Sequence, residues 1–212
     1  MNIADIRKEY KQRVLLESDL APDPIQQFRR WFDEAVAAGV EEVNAMTLAT
    51  ASAEGVPDGR IVLLKGFDTN GFVFFTNYSS AKGTQLEENP RACLVFFWAP
   101  LERQVRITGL VSKTSAEEST AYYNSRPVSS RIGAWASPQS SVIARREWLE
   151  SNEQKIAASF EGKEIERPAH WGGYCVKPVS IEFWQGRASR LHDRILYSAA
   201  EGGSWKMERL AP

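Results

Sequence analysis

The chain has 212 residues, 43% of them hydrophobic, which suits a sizeable core and excludes wholesale disorder. Its 26 Lys and Arg against 27 Asp and Glu leave a formal net charge of −1. That balance argues against a nucleic-acid partner, so any anion site must come from local clustering.

Met1 to Tyr10 lacks the apolar core of a signal peptide, and no apolar run approaches the length of a membrane span. The expectation is a cytoplasmic protein with no membrane partner. Residues 1–20 read as a mobile arm ahead of a single domain, 21–212. Pro22-Asp23-Pro24 opens a helix whose apolar stripe is Phe28, Trp31, Phe32 and Val36, with Gly39 as its stop. The period then changes. Met46 to Ala51 and Arg60 to Phe67 read as strands on either side of a Gly/Pro/Asp turn. Asp68-Thr69-Asn70-Gly71 reads as a hairpin turn leading into a strand from Phe72 to Asn77. A short helix is expected over Ser80 to Glu88, stopped by Asn89-Pro90. Arg91 to Trp98 and Glu102 to Lys113 form another strand pair.

The second half is more helical. Ser115 with Glu118 makes a capping box for a helix running to Ser125-Arg126-Pro127. Ser140 or Ser141 is expected to open a long helix to about Phe160. Gly172 to Gln185 and Ser204 to Leu210 return as strands. Strands joined by short turns imply antiparallel pairing, so the fold class is α+β, mainly antiparallel β, closed as a barrel or sandwich. No GxGxxG and no P-loop are present.

The chemistry-bearing residues fall into clusters. Phe183 to Arg194 packs Arg187, Arg190, Arg194 and His192 beside Trp184, a composition suited to a planar, anionic ligand, although composition alone favours a solvated turn. Arg60 and Lys65 bracket an apolar strand in which period two puts 61, 63 and 65 on one face. Thr76 ends a strand, and Lys82 follows near a helix start, where backbone N–H groups favour an anion. Gln104 can read a heterocycle edge or simply satisfy a sheet. Tyr122 and Arg126 stand at i, i+4, with Ser130 beyond, as a binding pair or a surface cation–π pair. Gln139-Ser140 sits at an expected helix start. Cys93 and Cys175 read as buried free thiols of a reducing compartment. Two distant histidines and no ligand-spaced cysteines give no metal motif. Asp193 beside His192 reads as structural rather than as a dyad.

Arg60-Ile-Val-Leu-Leu-Lys65, Phe75-Thr76-Asn77, Leu101 to Val105, Ser125-Arg126-Pro127, Ile132 to Trp135, Gln139-Ser140-Ser141, Phe183 to Gly186, Arg190 to Arg194 and Arg209 to Pro212 occur in this order. Together they resemble the pyridoxine/pyridoxamine 5′-phosphate oxidase family from Arg7 onward. The resemblance implies a Greek-key split β-barrel with flanking helices that binds FMN at the interface of a homodimer. It implies that Arg60, Ile61, Val62, Leu63, Leu64 and Lys65 line FMN, with Arg60 and Lys82 at its phosphate. Phe75, Thr76, Gln104, Gln139, Ser140, Trp184 and Arg194 match further flavin positions. Lys65, Tyr122, Arg126 and Ser130 match the substrate-phosphate positions. Arg190, Leu191 and His192 match the substrate-ring segment, Arg190 and His192 being the catalytic pair. Arg7, Lys8, Glu9 and Tyr10 match a closing arm. The implied reaction oxidises pyridoxine 5′-phosphate or pyridoxamine 5′-phosphate to pyridoxal 5′-phosphate, with O2 reduced to H2O2. The alternatives are a split-barrel protein that holds FMN or pyridoxal phosphate without turnover, and a related flavoenzyme with another substrate. Two positions depart from the pattern: Ala81 where a basic residue is common, and Phe75 where tyrosine is common.

Overall fold

The structure, a computed structural model, describes residues 2–6, 9, 10 and 13–212. Helix α1 (Pro24–Ala37) starts as the sequence indicates: Asp23 Oδ1 accepts from the backbone N–H of Ile25 at 2.7 Å and of Gln26 at 3.0 Å. Nine strands follow, in one antiparallel sheet: β1 (Ala45–Ala51), β2 (Pro57–Leu63), β3 (Gly66–Asp68), β4 (Gly71–Asn77), β5 (Arg91–Trp98), β6 (Arg103–Lys113), β7 (Trp171–Gln185), β8 (Asp193–Ala199) and β9 (Trp205–Leu210). The order is β2-β1-β5-β6-β7-β4-β3, with β8 pairing both β7 and β9.

The continuous strand expected from Arg60 to Phe67 is in fact two, β2 and β3, and the break closes the barrel. Leu64 N–H donates to Asn44 O beside β1 at 2.8 Å, while Lys65 N–H donates to Val73 O on β4 at 2.8 Å. At that step the backbone changes partners. The turn between β3 and β4 also differs from the Asn-Gly expectation in detail. The positive φ falls on Gly71 (143°), where an added Cβ would lie 2.4 Å from Val176 O, so only glycine fits that approach.

Strand β7, 15 residues long, spans the whole sheet. Its first half pairs with β4 and its second half with β8, while β6 runs along its other edge. The register with β6 shifts at Thr108/Gly109, opposite Ser180 and Pro178, so Val179 is the extra residue. A bulge bends a strand, and this one sits where β7 exchanges partners.

Phe28 and Trp31 of α1 close one end of the barrel. Phe28 makes edge contacts with Phe67 and Phe72 at 4.8 and 4.9 Å and packs on Phe96, all within a core that includes Leu48, Phe74, Leu94, Val105, Ile107, Ile181, Phe183, Ile195 and Tyr197. On β5, β6 and β7, alternate residues face outward. One registered row reads Ile61, Thr47, Val95, Arg106, Glu182, Leu196, and the next carries Phe97, Gln104, Trp184, Arg194. Ile61 and Phe97 are 64% and 55% exposed on this face.

Helices α2 (Ala81–Glu88) and α3 (Ala116–Ser125) are capped by Ser80 and Ser115 as their sequences indicate. Helix α4 (Val128–Ala136) was not expected. The long helix, α5, runs Arg146–Ser159 rather than from Ser140, so Gln139-Ser140 lie in the α4–α5 loop. Strand β8 was also missed. Both cysteines are free and half-buried rather than buried. No helix among the described residues is long and apolar enough to cross a membrane.

Candidate active site

A cleft of about 840 Å³ opens where the β2–β3 break meets β4, α2, α3 and α4. It gathers Arg60, Ile61, Val62, Leu63 and Lys65 from β2 and its end. Phe75 and Thr76 come from β4, Lys82 from α2, Tyr122, Arg126 and Ser130 from the α3–α4 corner, and Gln139 from the following loop. Leu64 turns the other way, into the core. Thr76 Oγ1 donates to Gln139 Oε1 at 3.2 Å, joining β4 to the α4–α5 loop.

Two cation pairs face this cleft. The first is Arg60 with Lys82. Arg60 is held from behind: it pairs with Asp58, donates to Thr50 Oγ1, and reaches Leu48 O at 3.3 Å and Gln85 Oε1 at 3.2 Å. Thr50 in turn donates to Gln85 Oε1 at 2.5 Å. Lys82 is 8% exposed, and its ammonium reaches Ser80 Oγ at 3.4 Å. Burial, and then the neighbouring Arg60, push its pKa below the ordinary lysine value. A phosphate between them relieves both effects, since an anion restores what desolvation and like charge remove.

The second pair is Lys65 with Arg126. Among the described residues no carboxylate forms a salt bridge with either, whereas the charge of Asp58 offsets part of the effect of burial and Arg60 on Lys82. Helix α3 ends at Ser125, so Arg126 is the residue after the helix and not part of an i, i+4 pair inside it. Its guanidinium lies 4.6 Å over Trp171 rather than on Tyr122. Its Nη1 is buried without a hydrogen-bond partner. An orphaned guanidinium donor is costly unless a ligand takes it. Tyr122 stacks on Phe75 at 4.0 Å, Phe75 on Trp171 at 5.6 Å with 12° between planes, and Lys65 Nζ stands 5.9 Å from the Tyr122 ring. The three near-parallel rings form a stack beside the cations.

Gln104, Ser140, Trp184, Arg190, Leu191, His192 and Arg194 do not line this cleft. Gln104, Trp184 and Arg194 share one row of the outer sheet face. Arg194 is bound to the buried Glu182, Nε to Oε1 at 2.8 Å and Nη2 to Oε2 at 3.2 Å. The rings of Trp184 and His192 are 4.7 Å apart, and Tyr10 stands edge-on to both, 5.7 and 5.9 Å away. Arg7 and Lys8 lie outside the described residues, and Glu9 is exposed. Ser189 and Arg190 both have left-handed φ, 56° and 61°, unusual for residues with side chains. Asp193 is structural: it accepts from Arg209 and from Leu15 N–H.

Arg187 N–H donates to His192 Nδ1 at 3.1 Å. That bond needs a lone pair on Nδ1, so the neutral ring carries its proton on Nε2. Burial, and then Arg190, push the imidazole pKa below its ordinary value. The unfolded chain therefore binds this proton more readily, and the ring's contribution to stability is lost as pH falls below the unfolded-state value. Titration of His192 by NMR should give a midpoint below that of a free histidine, rising in Arg190→Ala. A midpoint at or above the free value contradicts the assignment.

Sequence reasoning missed Trp171, Asn77 and Ser137 in the cleft wall, and Asp58, Thr50 and Gln85 behind Arg60. Gly172-Gly173, next to Trp171, carried a signal for close packing at the start of β7. A Cβ at Gly172 would lie 2.1 Å from the Tyr78 hydroxyl, and one at Gly173 would lie 2.8 Å from Phe75. Paired glycines in a strand mark such close approach.

A family model described as pyridoxamine 5′-phosphate oxidase matches residues 32–159, and one described as the pyridoxine 5′-phosphate oxidase C-terminal dimerisation region matches 171–212. A pyridoxine/pyridoxamine 5′-phosphate oxidase of Cupriavidus pinatubonensis is 58% identical over 210 residues, 99% of each chain. The crystal structure of PhzG from Burkholderia lata, in complex with tetrahydrophenazine-1-carboxylic acid, is similar with a TM-score of 0.87 at 31% identity, covering 94% of this chain and 98% of that one. A pyridoxamine 5′-phosphate oxidase-related, FMN-binding protein from Nostoc punctiforme shares the fold, with a TM-score of 0.71 at 20% identity over 91% and 100% of the two chains.

Proposed function

The chain belongs to the pyridoxamine 5′-phosphate oxidase family, and from that membership we propose that it oxidises pyridoxine 5′-phosphate and pyridoxamine 5′-phosphate to pyridoxal 5′-phosphate, with O2 as electron acceptor. It is an FMN-dependent oxidoreductase with a dimerisation region. The observation that carries the substrate reading is Arg126, whose buried Nη1 lacks a partner beside Lys65, Tyr122 and Ser130. Those four residues bind the substrate phosphate. Arg60 and Lys82 hold the FMN phosphate, with Thr76 and Gln139 nearby on the cleft wall.

Bound flavin would supply the electron sink for the hydride equivalent leaving substrate C4′, the alcohol or amine giving up a proton as well; O2 would take up the two electrons and two protons as H2O2, and in the amine case water would hydrolyse the imine to the aldehyde and ammonia. The protein binds, orients and excludes water. Arg190 and His192 hold the pyridine ring, and His192 presents an Nε2–H donor to it. Tyr10 covers Trp184 and His192.

The separation of the two residue groups supports an interface site. The cleft group and the Trp184, Arg190, His192 group do not meet within one chain, while apolar Ile61, Leu63 and Phe97 are exposed on the face between them. Two protomers packed on that face bring one chain's cleft to the other's ring-holding segment.

Anaerobic addition of pyridoxine 5′-phosphate should bleach the yellow holoenzyme, and readmitted air should restore the colour with H2O2 formed. Bound flavin that keeps its colour refutes the reading. The likeness to PhzG favours, as a second reading, a flavoenzyme for another ring system. A substrate that works equally well without its phosphate would support it.

A further inference from the structure

We propose that Arg209 is a positioning residue, clasping the root of the N-terminal segment to the strand that follows His192 and thereby setting where Tyr10 lies. The proposal rests on the reading of Trp184 and His192 as substrate-facing. Arg209 is in β9, three residues from the C-terminus, and it uses every guanidinium nitrogen. Nε and Nη2 donate to the two oxygens of Glu17 at 2.7 and 2.8 Å, a bidentate fork. Nη2 also donates to Leu15 O at 2.8 Å, and Nη1 to Asp193 Oδ1 at 2.7 Å. Asp193 Oδ2 accepts from Leu15 N–H at 3.1 Å. Leu15 is thus gripped through both of its backbone groups, one by Asp193 and the other by Arg209.

The clasp touches the ring-holding segment directly. Asp193 follows His192 in sequence. Arg187 Nε stands 3.8 Å from Asp193 Oδ2, Arg187 Nη1 donates to Arg13 O at 3.4 Å, and Arg187 N–H holds His192 Nδ1. Tyr10 lies only five residues before Leu15, so its reach from the clasp is at most about 17 Å. It fits against Gly186, where an added Cβ would lie 2.7 Å from its ring. The tether at Leu15 limits where Tyr10 can lie and lowers the entropic cost of ordering it there.

A merely stabilising role predicts something different. Arg209 and Glu17 side chains are 37% and 47% exposed, so solvent screens part of the fork, and the stability it adds is read separately from its effect on substrate. Arg209→Gln should lower Tm modestly, leave FMN affinity unchanged, raise KM for pyridoxine 5′-phosphate about fivefold with kcat less affected, and speed tryptic cleavage within residues 7–13. Arg209→Lys, which keeps the charge and loses the fork, should recover part of the KM. Faster clipping with an unchanged KM overturns the proposal. So does a fall in Tm with FMN loss and no KM effect. Tyr10→Ala tests the underlying reading separately: if it leaves KM unchanged in an otherwise wild-type enzyme, the covering role of Tyr10 fails and the proposal fails with it.

Discussion

Arg126→Ala should raise the KM for pyridoxine 5′-phosphate by roughly 30- to 150-fold while the protein still purifies with flavin. The wild-type guanidinium is fixed over Trp171 at 4.6 Å and has a buried, unpartnered Nη1. No carboxylate competes for it among the described residues. Its pKa is drawn below the ordinary arginine value by burial, with Tyr122 and Tyr123 offsetting part of that. It remains cationic at every working pH. Losing a charge-assisted bond to a phosphate costs about 2–3 kcal/mol, and each 1.36 kcal/mol is tenfold. Arg60 and Lys82 sit on other elements with their own supports, so FMN affinity measured by fluorescence quenching should not change. A KM within error of wild type removes Arg126 from the substrate site.

Arg190→Ala should lower kcat by about a hundredfold with FMN still bound, the size expected when a reacting ring is poorly oriented. Arg190 follows Ser189 in a left-handed pair, and its charge acts on His192. Its removal takes away the guanidinium proposed to orient the ring and raises the His192 pKa together. The pH profile separates these effects. If orientation dominates, kcat stays low at all pH; if the imidazole charge dominates, activity returns as pH rises and His192 deprotonates. Wild-type turnover throughout contradicts the role.

The parts of this fold that were legible are those set by neighbours in sequence. Asp23, Ser80 and Ser115 cap the helices they precede, and Asn89-Pro90 stops α2, because capping is a matter of two or three residues. The failures lie where tertiary contacts decide. The apolar run Ile61 to Leu64 leads through Lys65-Gly66 into Phe67 with no turn dipeptide, so the sequence does not mark Leu64-Lys65 as the point where the backbone leaves β1 for β4. Helix α5 begins after Arg145 with no side-chain cap, while Ser140 and Ser141 imitate one upstream. Helix α4 is short, starts directly after Pro127 and contains Gly133, so its propensity is weak. Strand β8 hides behind the charged segment from Arg187 to Asp193.

The site follows the same division. An ordered set of short motifs named candidates, and the fold gathers Arg60, Lys65, Thr76, Lys82, Tyr122, Arg126, Ser130 and Gln139 of them in one cleft. The separation of the candidates into a cleft group and an outer-face group was not readable, because it depends on the course of β7. Likewise Arg126 was expected beside Tyr122 on one helix face. It stacks instead on Trp171, 45 residues later, a contact only the folded sheet creates.

One strand carries a residue of each group: Trp171 at the start of β7 walls the cleft, and Trp184 near its end belongs to the ring-holding segment. Thirteen residues of extended chain separate them, roughly 40 Å, too far for one molecule to fold the first onto the second. Two defective alleles, one damaged at Arg126 and the other at Arg190, could thus rescue each other when co-expressed. In the proposed two-protomer pocket, a mixed pair would carry both lesions in one pocket and leave the second wild type, whereas two lesions on the same polypeptide would spare neither pocket once it pairs with itself.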